Sequence, residues 1–208
     1  MTMNRLIHVA VRRDLDRLWT ALGQVTDGDV PRARALERAF AHLRDELTRH
    51  HEGEDTHVWP MLSGFGVAPD LLAAMESEHQ AMSDALAETS AAMSRFVASG
   101  SAADAAAARS SVGSTREVVA RHLTHEEEDV EPILRTHENT AEWKTVEKKL
   151  RSVSPGEAGR FFAWLTDGMT DDHRAFMRTQ VPAPVVFALS RTLGRRYSRE
   201  VAPVWRAG

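Results

Sequence analysis

Along residues 3 to about 24, apolar side chains at Leu6, Val9, Ala10, Leu15, Leu18, Trp19 and Leu22 recur every three or four positions, with Arg12, Arg13, Asp14, Asp16 and Arg17 mostly between them. That period predicts an amphipathic helix with one face to a core and the other to water. Residues 23–29 read as a turn. Asp29 followed by Pro31 suits the start of a second helix, because the missing proline N–H costs nothing in a first turn. This helix carries Ala35, Leu36, Ala39, Phe40, Leu43 and Leu47 to His50 and on towards Pro60.

Gly64 and Gly66 break the pattern, and Pro69-Asp70 opens a third helix through Leu71, Leu72, Met75, His79, Met82, Leu86 and Met93 to about Ala98. After Ser99-Gly100-Ser101, a fourth begins near Asp104 and runs through Val112, Val118, Val119, His122 and Val130 to Leu134. Four long helices with short connections predict an antiparallel up-and-down bundle over residues 1–136. Residues 137–208 differ in character: Ser154-Pro-Gly-Glu157 resembles a capping box, and Pro182, Pro184 and Pro203 divide the rest into short helices. Phe161, Phe162, Trp164, Leu165, Val185, Val186, Phe187, Leu189, Leu193, Tyr197 and Trp205 are too many apolar groups to stay solvated, so this part is expected to pack on the bundle as an extension. The expected class is all-α.

An internal repeat lies across the second and fourth helices. His50-His-Glu-Gly-Glu-Asp-Thr-His-Val-Trp-Pro60 aligns with His122-Leu-Thr-His-Glu-Glu-Glu-Asp-Val-Glu-Pro132 at an offset of 72, pairing His50 with His122, Glu54 with Glu126, Asp55 with Glu127, Val58 with Val130 and Pro60 with Pro132. Each copy places an imidazole and a carboxylate four residues apart on one helix face. His8 and His79 form a further pair at an offset of 71, so each half supplies a lone histidine and one His-x-x-x-Glu. About 19 residues separate His79 from the end of its helix and about 18 lead from the next helix start to His122, which at about 1.5 Å per residue puts both at one level. The first hairpin gives nearly the same count for His8 and His50. A lone histidine on an apolar face is more often a satisfied core residue, and a single His-x-x-x-Glu more often a surface pair; here they occur together at matched levels. Four imidazoles and two carboxylates exceed what one zinc ion takes, and suit two octahedral ions sharing bridging carboxylates and an oxo or hydroxo group.

Composition narrows the chemistry. The chain has no cysteine, which excludes thiolate zinc, iron–sulfur clusters, disulfides and a cysteine nucleophile. Any metal must use nitrogen and oxygen donors. A formal charge of −4 gives no global reason to expect nucleic acid. No signal-like segment and no run long enough to cross a bilayer is visible, so a cytoplasmic protein with no membrane partner is expected. Arg191, Arg195, Arg196, Arg199 and Arg206 make the tail locally basic, which reads first as a solvated face.

These residues resemble the hemerythrin-like domains, the family sometimes named for its His-His-Glu cation-binding motif, over roughly residues 5–135, including the Val58-Trp-Pro60 and Val130-Glu-Pro132 endings. The resemblance implies a four-helix bundle holding a non-haem di-iron centre that binds dioxygen or reacts with peroxide or nitric oxide. It carries the ligand role onto His8, His50, Glu54, His79, His122 and Glu126. Two positions depart from the oxygen carriers of that family. They have a second histidine four residues after that of the third helix, where this chain has Ser83, and an aspartate five residues after the last histidine, where it has Glu127. Pairing with Glu54 favours Glu126 over Glu127, since a step of five turns the carboxylate about 140° from its histidine. His42, His51, His57, His125, His137 and His173 are taken as surface or neighbouring groups, and Tyr197, Trp59 and Trp143 as core. With two imidazoles per iron, both metals would keep an open position, which favours catalase-like peroxide chemistry or nitric oxide handling over reversible oxygen carriage. A second reading is a redox or iron sensor whose centre controls a partner-binding C-terminal segment. A ferritin-like carboxylate oxidase fits less well, because that class relies on glutamates and Glu-x-x-His pairs.

Overall fold

A computed structural model describes residues 1–206, and every regular element among them is helical. The last two residues of the 137–208 extension lie outside the described residues. The chain runs through α1 (Met3–Leu22), α2 (Val30–Gly53), α3 (Trp59–Gly64), α4 (Pro69–Ser99), α5 (Ala102–His125) and α6 (Glu131–His137). Five shorter helices come next: α7 (Ala141–Leu150), α8 (Pro155–Thr166), α9 (Asp171–Gln180), α10 (Ala183–Ala188) and α11 (Arg195–Glu200).

Local chemistry sets the ends of these helices. The side chains of Thr2, Asp29 and Ser101 accept hydrogen bonds from the backbone N–H groups of Arg5, Arg32 and Asp104, satisfying donors that a first turn leaves free. Ser154 and Glu157 form a reciprocal capping box at α8. Gly100 stops α4 at φ +64°, a conformation that a Cβ would strain.

Of the four long helices, α1 packs on α2 and α5, and α4 packs on α2 and α5. Their apolar faces, with Leu18, Leu36, Leu43, Phe96, Val112 and Val119 fully buried, form the larger core, which also takes in Trp164, Leu165, Met177 and Tyr197 from the later helices. A smaller core joins Val58, Trp59, Leu62, Leu72, Met75, Val130 and Val146. Along α2, Leu47 belongs to the larger core and Val58 beyond it to the smaller, with His50, His51 and Glu54 between. Met82 and Met75 flank His79 in the same way, and Leu123 and Val130 flank Glu126. A polar layer thus lies between two apolar ones.

The second and fourth helices are not continuous α-helices up to their prolines. Each passes through a π-helical turn, Glu54–Val58 and Glu126–Val130, directly after the motif. Pro60 has no N–H to give the carbonyl of Thr56, and its ring would press on that carbonyl in an α-helix; Pro132 stands in the same relation to Glu128. Widening the preceding turn relieves this contact, and the N–H groups of Trp59 and Glu131 bond to the carbonyls of Glu54 and Glu126 instead.

Candidate metal centre

The polar layer holds seven side chains in two adjoining groups: His51, Glu54, His79 and His122 in one, and His8, His50 and Glu126 in the other. Within each group the ligand-type atoms lie within 4.8 Å of one another. His8 and Glu126 have no exposed surface, and His51, Glu54, His79 and His122 are buried as well. Glu54 reaches both groups, with Oε1 3.3 Å from His50 Nε2 and Oε2 3.6 Å from His79 Nε2. Glu126 Oε2 lies 3.1 Å from His8 Nε2.

Carboxylates outside the cluster fix the imidazoles. His8 Nδ1 lies 2.8 Å from Glu127 Oε1, His79 Nδ1 2.7 Å from Asp55 Oδ1 and His122 Nδ1 2.9 Å from Glu78 Oε2. An ionised carboxylate only accepts, so each Nδ1 carries the proton and donates. Asp55 and Glu127, which pair in the repeat, therefore perform the same task, each for the lone histidine of the other half. Both carboxylates are held in turn, Asp55 by the indole N–H of Trp59 at 2.9 Å and Glu127 by the Arg12 guanidinium at 2.7 Å. Asn4 donates to Glu126 Oε1 at 2.8 Å.

This wiring leaves the inner atoms without partners of opposite kind. With Nδ1 protonated on both His79 and His122, each Nε2 presents a lone pair, and the two lie 3.2 Å apart. His8 and His50 Nε2 approach to 3.3 Å. His51 Nε2, Glu54 Oε2 and Glu126 Oε2 are buried with no hydrogen-bond partner. Facing lone pairs and orphaned acceptors are costly in a buried site. A cation resolves all of them at once, so the donor set fits a metal.

The electrostatics agree. Burial, with neighbouring imidazoles, lowers His50 to about 3 and takes His51 well below its ordinary value. Both are neutral at physiological pH, the form that binds a metal. Burial works against a charge on His8, but the carboxylates of Glu126 and Glu127 beside its two ring nitrogens outweigh that and raise it. Burial also opposes ionisation of Glu126, yet the His8 ring beside it and the nearby imidazoles hold it at about 2. Glu54 is pushed well up, by burial first and then by Glu126.

A family model described as hemerythrin HHE cation binding domain matches residues 5–134. The chain belongs to that family. No curated protein and no solved structure matches it. The buried histidine and glutamate cluster is where the HHE domain of this chain has the means to hold a cation.

All six residues singled out in the sequence, His8, His50, Glu54, His79, His122 and Glu126, meet in this cluster. Glu126 points inward and Glu127 supports His8 from outside. His51 corrects the sequence reading, which set it among surface or neighbouring groups. It is buried in the cluster, stacked on the His79 ring at 4.2 Å between centroids. Its repeat partner is Leu123, so the repeat carried no signal for it; the hint in the sequence was its place three residues before Glu54, on the same helix face. Ser83 is exposed, and the imidazole missing there is supplied from α2 instead. The count of four imidazoles therefore becomes five. His42 is also far from a surface group, packing against Trp164 and Tyr197.

Proposed function

We propose that the four long helices run as an antiparallel up-and-down bundle around two iron ions, held by His51, His79 and His122 on one side and by His8 and His50 on the other. Glu54 would serve both ions, and Glu126 the one on the side of His8. The observation that carries this reading is the pair of Nε2 lone pairs 3.2 Å apart on His79 and His122, next to the orphaned oxygens of Glu54 and Glu126. Nitrogen and carboxylate donors without thiolate suit iron and manganese. When bound, such a pair of ions supplies redox equivalents and a Lewis-acidic position for a small oxidant.

Five imidazoles change the expected balance between the two metals. Three nitrogen donors would hold an ion on the side of His51 and two on the side of His8 and His50, so an outside ligand would be taken more readily on the latter side, whereas four imidazoles would have left the two sides alike. One favoured vacancy in place of two removes the ground on which peroxide was preferred to oxygen carriage, and dioxygen, hydrogen peroxide and nitric oxide all remain suited to it; the preference for peroxide or nitric oxide rests instead on a polar chain leading outward from the His122 side. From His122, Glu78 passes to His125 Nδ1 at 2.8 Å, and His125 Nε2 lies 3.2 Å from the exposed Asp129. Peroxide disproportionation moves protons and is served by such a path, whereas reversible oxygen carriage gains from a sealed site.

The residues divide the work accordingly. Asp55, Glu78 and Glu127 hold three imidazoles in one tautomer. Asn4 orients Glu126. The two apolar cores above and below exclude water from the polar layer. Stopped-flow spectra of iron-loaded protein mixed with peroxide test the assignment: rapid peroxide loss with recovery of the starting spectrum is expected, and stable reversible dioxygen binding without peroxide loss would contradict it.

The second reading, a sensor acting through the C-terminal segment, has one structural support. His42, two helical turns before His50 on α2, packs on Tyr197 of α11 at 5.0 Å between ring centroids.

A further inference from the structure

Most of the helical turn at α10 is uncovered, Val186 alone packing on the larger core. Pro182, Ala183, Pro184, Val185, Phe187 and Ala188 are all exposed, with only Val186 half-buried between them. Phe187 shows 64% of its surface, Val185 45% and Leu193, one π-helical turn further on, 43%. These are the strongest apolar exposures of the later helices, and they fall within a dozen residues. Scattered exposed hydrophobics need no account, but a cluster of them does.

The same segment concentrates positive charge. From residue 181 to 206 there are five arginines and one glutamate, while the whole chain is net negative. Glu200 is taken by Arg196, and Arg206 lies 3.8 Å from Asp167. Arg191, Arg195 and Arg199 are exposed and form no ion pair among the described residues. Arg191 lies over the Phe187 ring at 5.4 Å, so the charge sits directly beside the apolar tip.

The segment is also firmly seated from beneath. A Cβ on Gly159 of α8 would come within 2.7 Å of the Leu193 backbone, and one on Gly194 would meet Ala163 at 2.6 Å. This close approach anchors the π-helical turn Leu189–Leu193 on α8, directly after the exposed residues of α10.

We propose that residues 182–199 form a docking surface for an anionic lipid bilayer, in which Val185 and Phe187 enter the headgroup boundary while Arg191, Arg195 and Arg199 meet lipid phosphates. Arginine-flanked phenylalanine on an exposed helix is a feature of interfacial membrane anchors. Charge and exposure select lipid over a folded partner: exposed apolar side chains beside unpaired arginines suit a fluid anionic interface, which needs no matching cavity. No helix of the described residues is long and apolar enough to cross a membrane, so contact is with the surface alone. This revises the expectation of no membrane partner, and it stands independently of the metal reading.

The test is sedimentation of the full chain with vesicles of phosphatidylcholine alone and of phosphatidylcholine with an equal share of phosphatidylglycerol. Binding is expected to the anionic vesicles only, and to collapse between about 0.1 M and 1 M salt as the screening length falls from about 10 Å to about 3 Å. Exchanging Arg191 and Arg195 for glutamine should weaken it about thirtyfold, and Val185→Ser with Phe187→Ser at least about tenfold. These side chains are exposed, so circular dichroism should show both variants folded. Equal binding to neutral vesicles, no binding to either, or unchanged binding by the variants would overturn the proposal. So would a dimer that the Val185/Phe187 variant dissociates without any vesicle binding, which would make this face a contact between copies, or retention on polyglutamate in place of vesicles.

Discussion

Glu127 and Asp55 never enter the cluster, yet each decides what a histidine within it can do. By accepting the Nδ1 proton of His8 and His79 they commit Nε2 to the interior as a lone pair. Glu127→Gln and Asp55→Asn are isosteric and keep a hydrogen bond while losing the charge, and each is expected to lower iron affinity about 10- to 100-fold with the fold intact, measured by competition with a chelator. The inner protons give a second expectation. His8 holds its proton above the ordinary value of 6.5 because Glu126 and Glu127 outweigh burial, and Glu54 is raised by burial and by Glu126. Protons on these two groups must leave before a cation binds, so affinity should rise with pH and binding should release protons. Calorimetry in buffers of different ionisation enthalpy measures this release, and a pH-independent affinity would contradict it. Residues that the repeat encodes twice were legible in the sequence for this reason: a carboxylate is needed at the same offset in each half. His51 was not, since its counterpart Leu123 serves the apolar core.

At the scale of elements, the 3.6-residue period placed all four long helices; caps at Thr2, Asp29 and Ser101 set the starts of three of them, and the other, α4, opens on Pro69. The π-helical turns escaped, because one extra residue in a turn leaves the apolar pattern on either side almost unchanged. Their cause, a proline six residues after a motif glutamate, was present in both copies. Each π turn sets the rotation of the helix beyond it, bringing Glu54 into the polar layer and Val58 and Trp59 into the smaller core. Deleting Thr56 would turn the residues after it by roughly 100° relative to Glu54 and bring Trp59 out of its place. The expected loss is about 3–5 kcal/mol, as for removal of a buried tryptophan, read from chemical denaturation with Trp fluorescence quenching as the local probe.

Across the whole molecule, the later helices complete the bundle core. Trp164 is fully buried, and its indole N–H donates to Asp14 Oδ2 at 2.9 Å, while Arg13 and Arg17 pair with Oδ1 of the same carboxylate. Tyr197 donates to Asp167 at 2.9 Å beside them. The sequence showed that these aromatics need burial, but their register against α1 depends on contacts some 150 residues apart, which no local pattern encodes. Trp164→Phe keeps most of the apolar area and leaves Asp14 Oδ2 without its donor, so about 1–3 kcal/mol of stability should be lost in urea denaturation. In the proposed reading the polar layer is a two-metal site with His51 as its fifth imidazole. Iron content per chain after anaerobic reconstitution, compared between the native protein and His51→Leu, tests it most directly. About two ions per chain in the native protein are expected, falling by about half in the variant. No bound iron, a single ion, or an unchanged content in the variant would contradict the account.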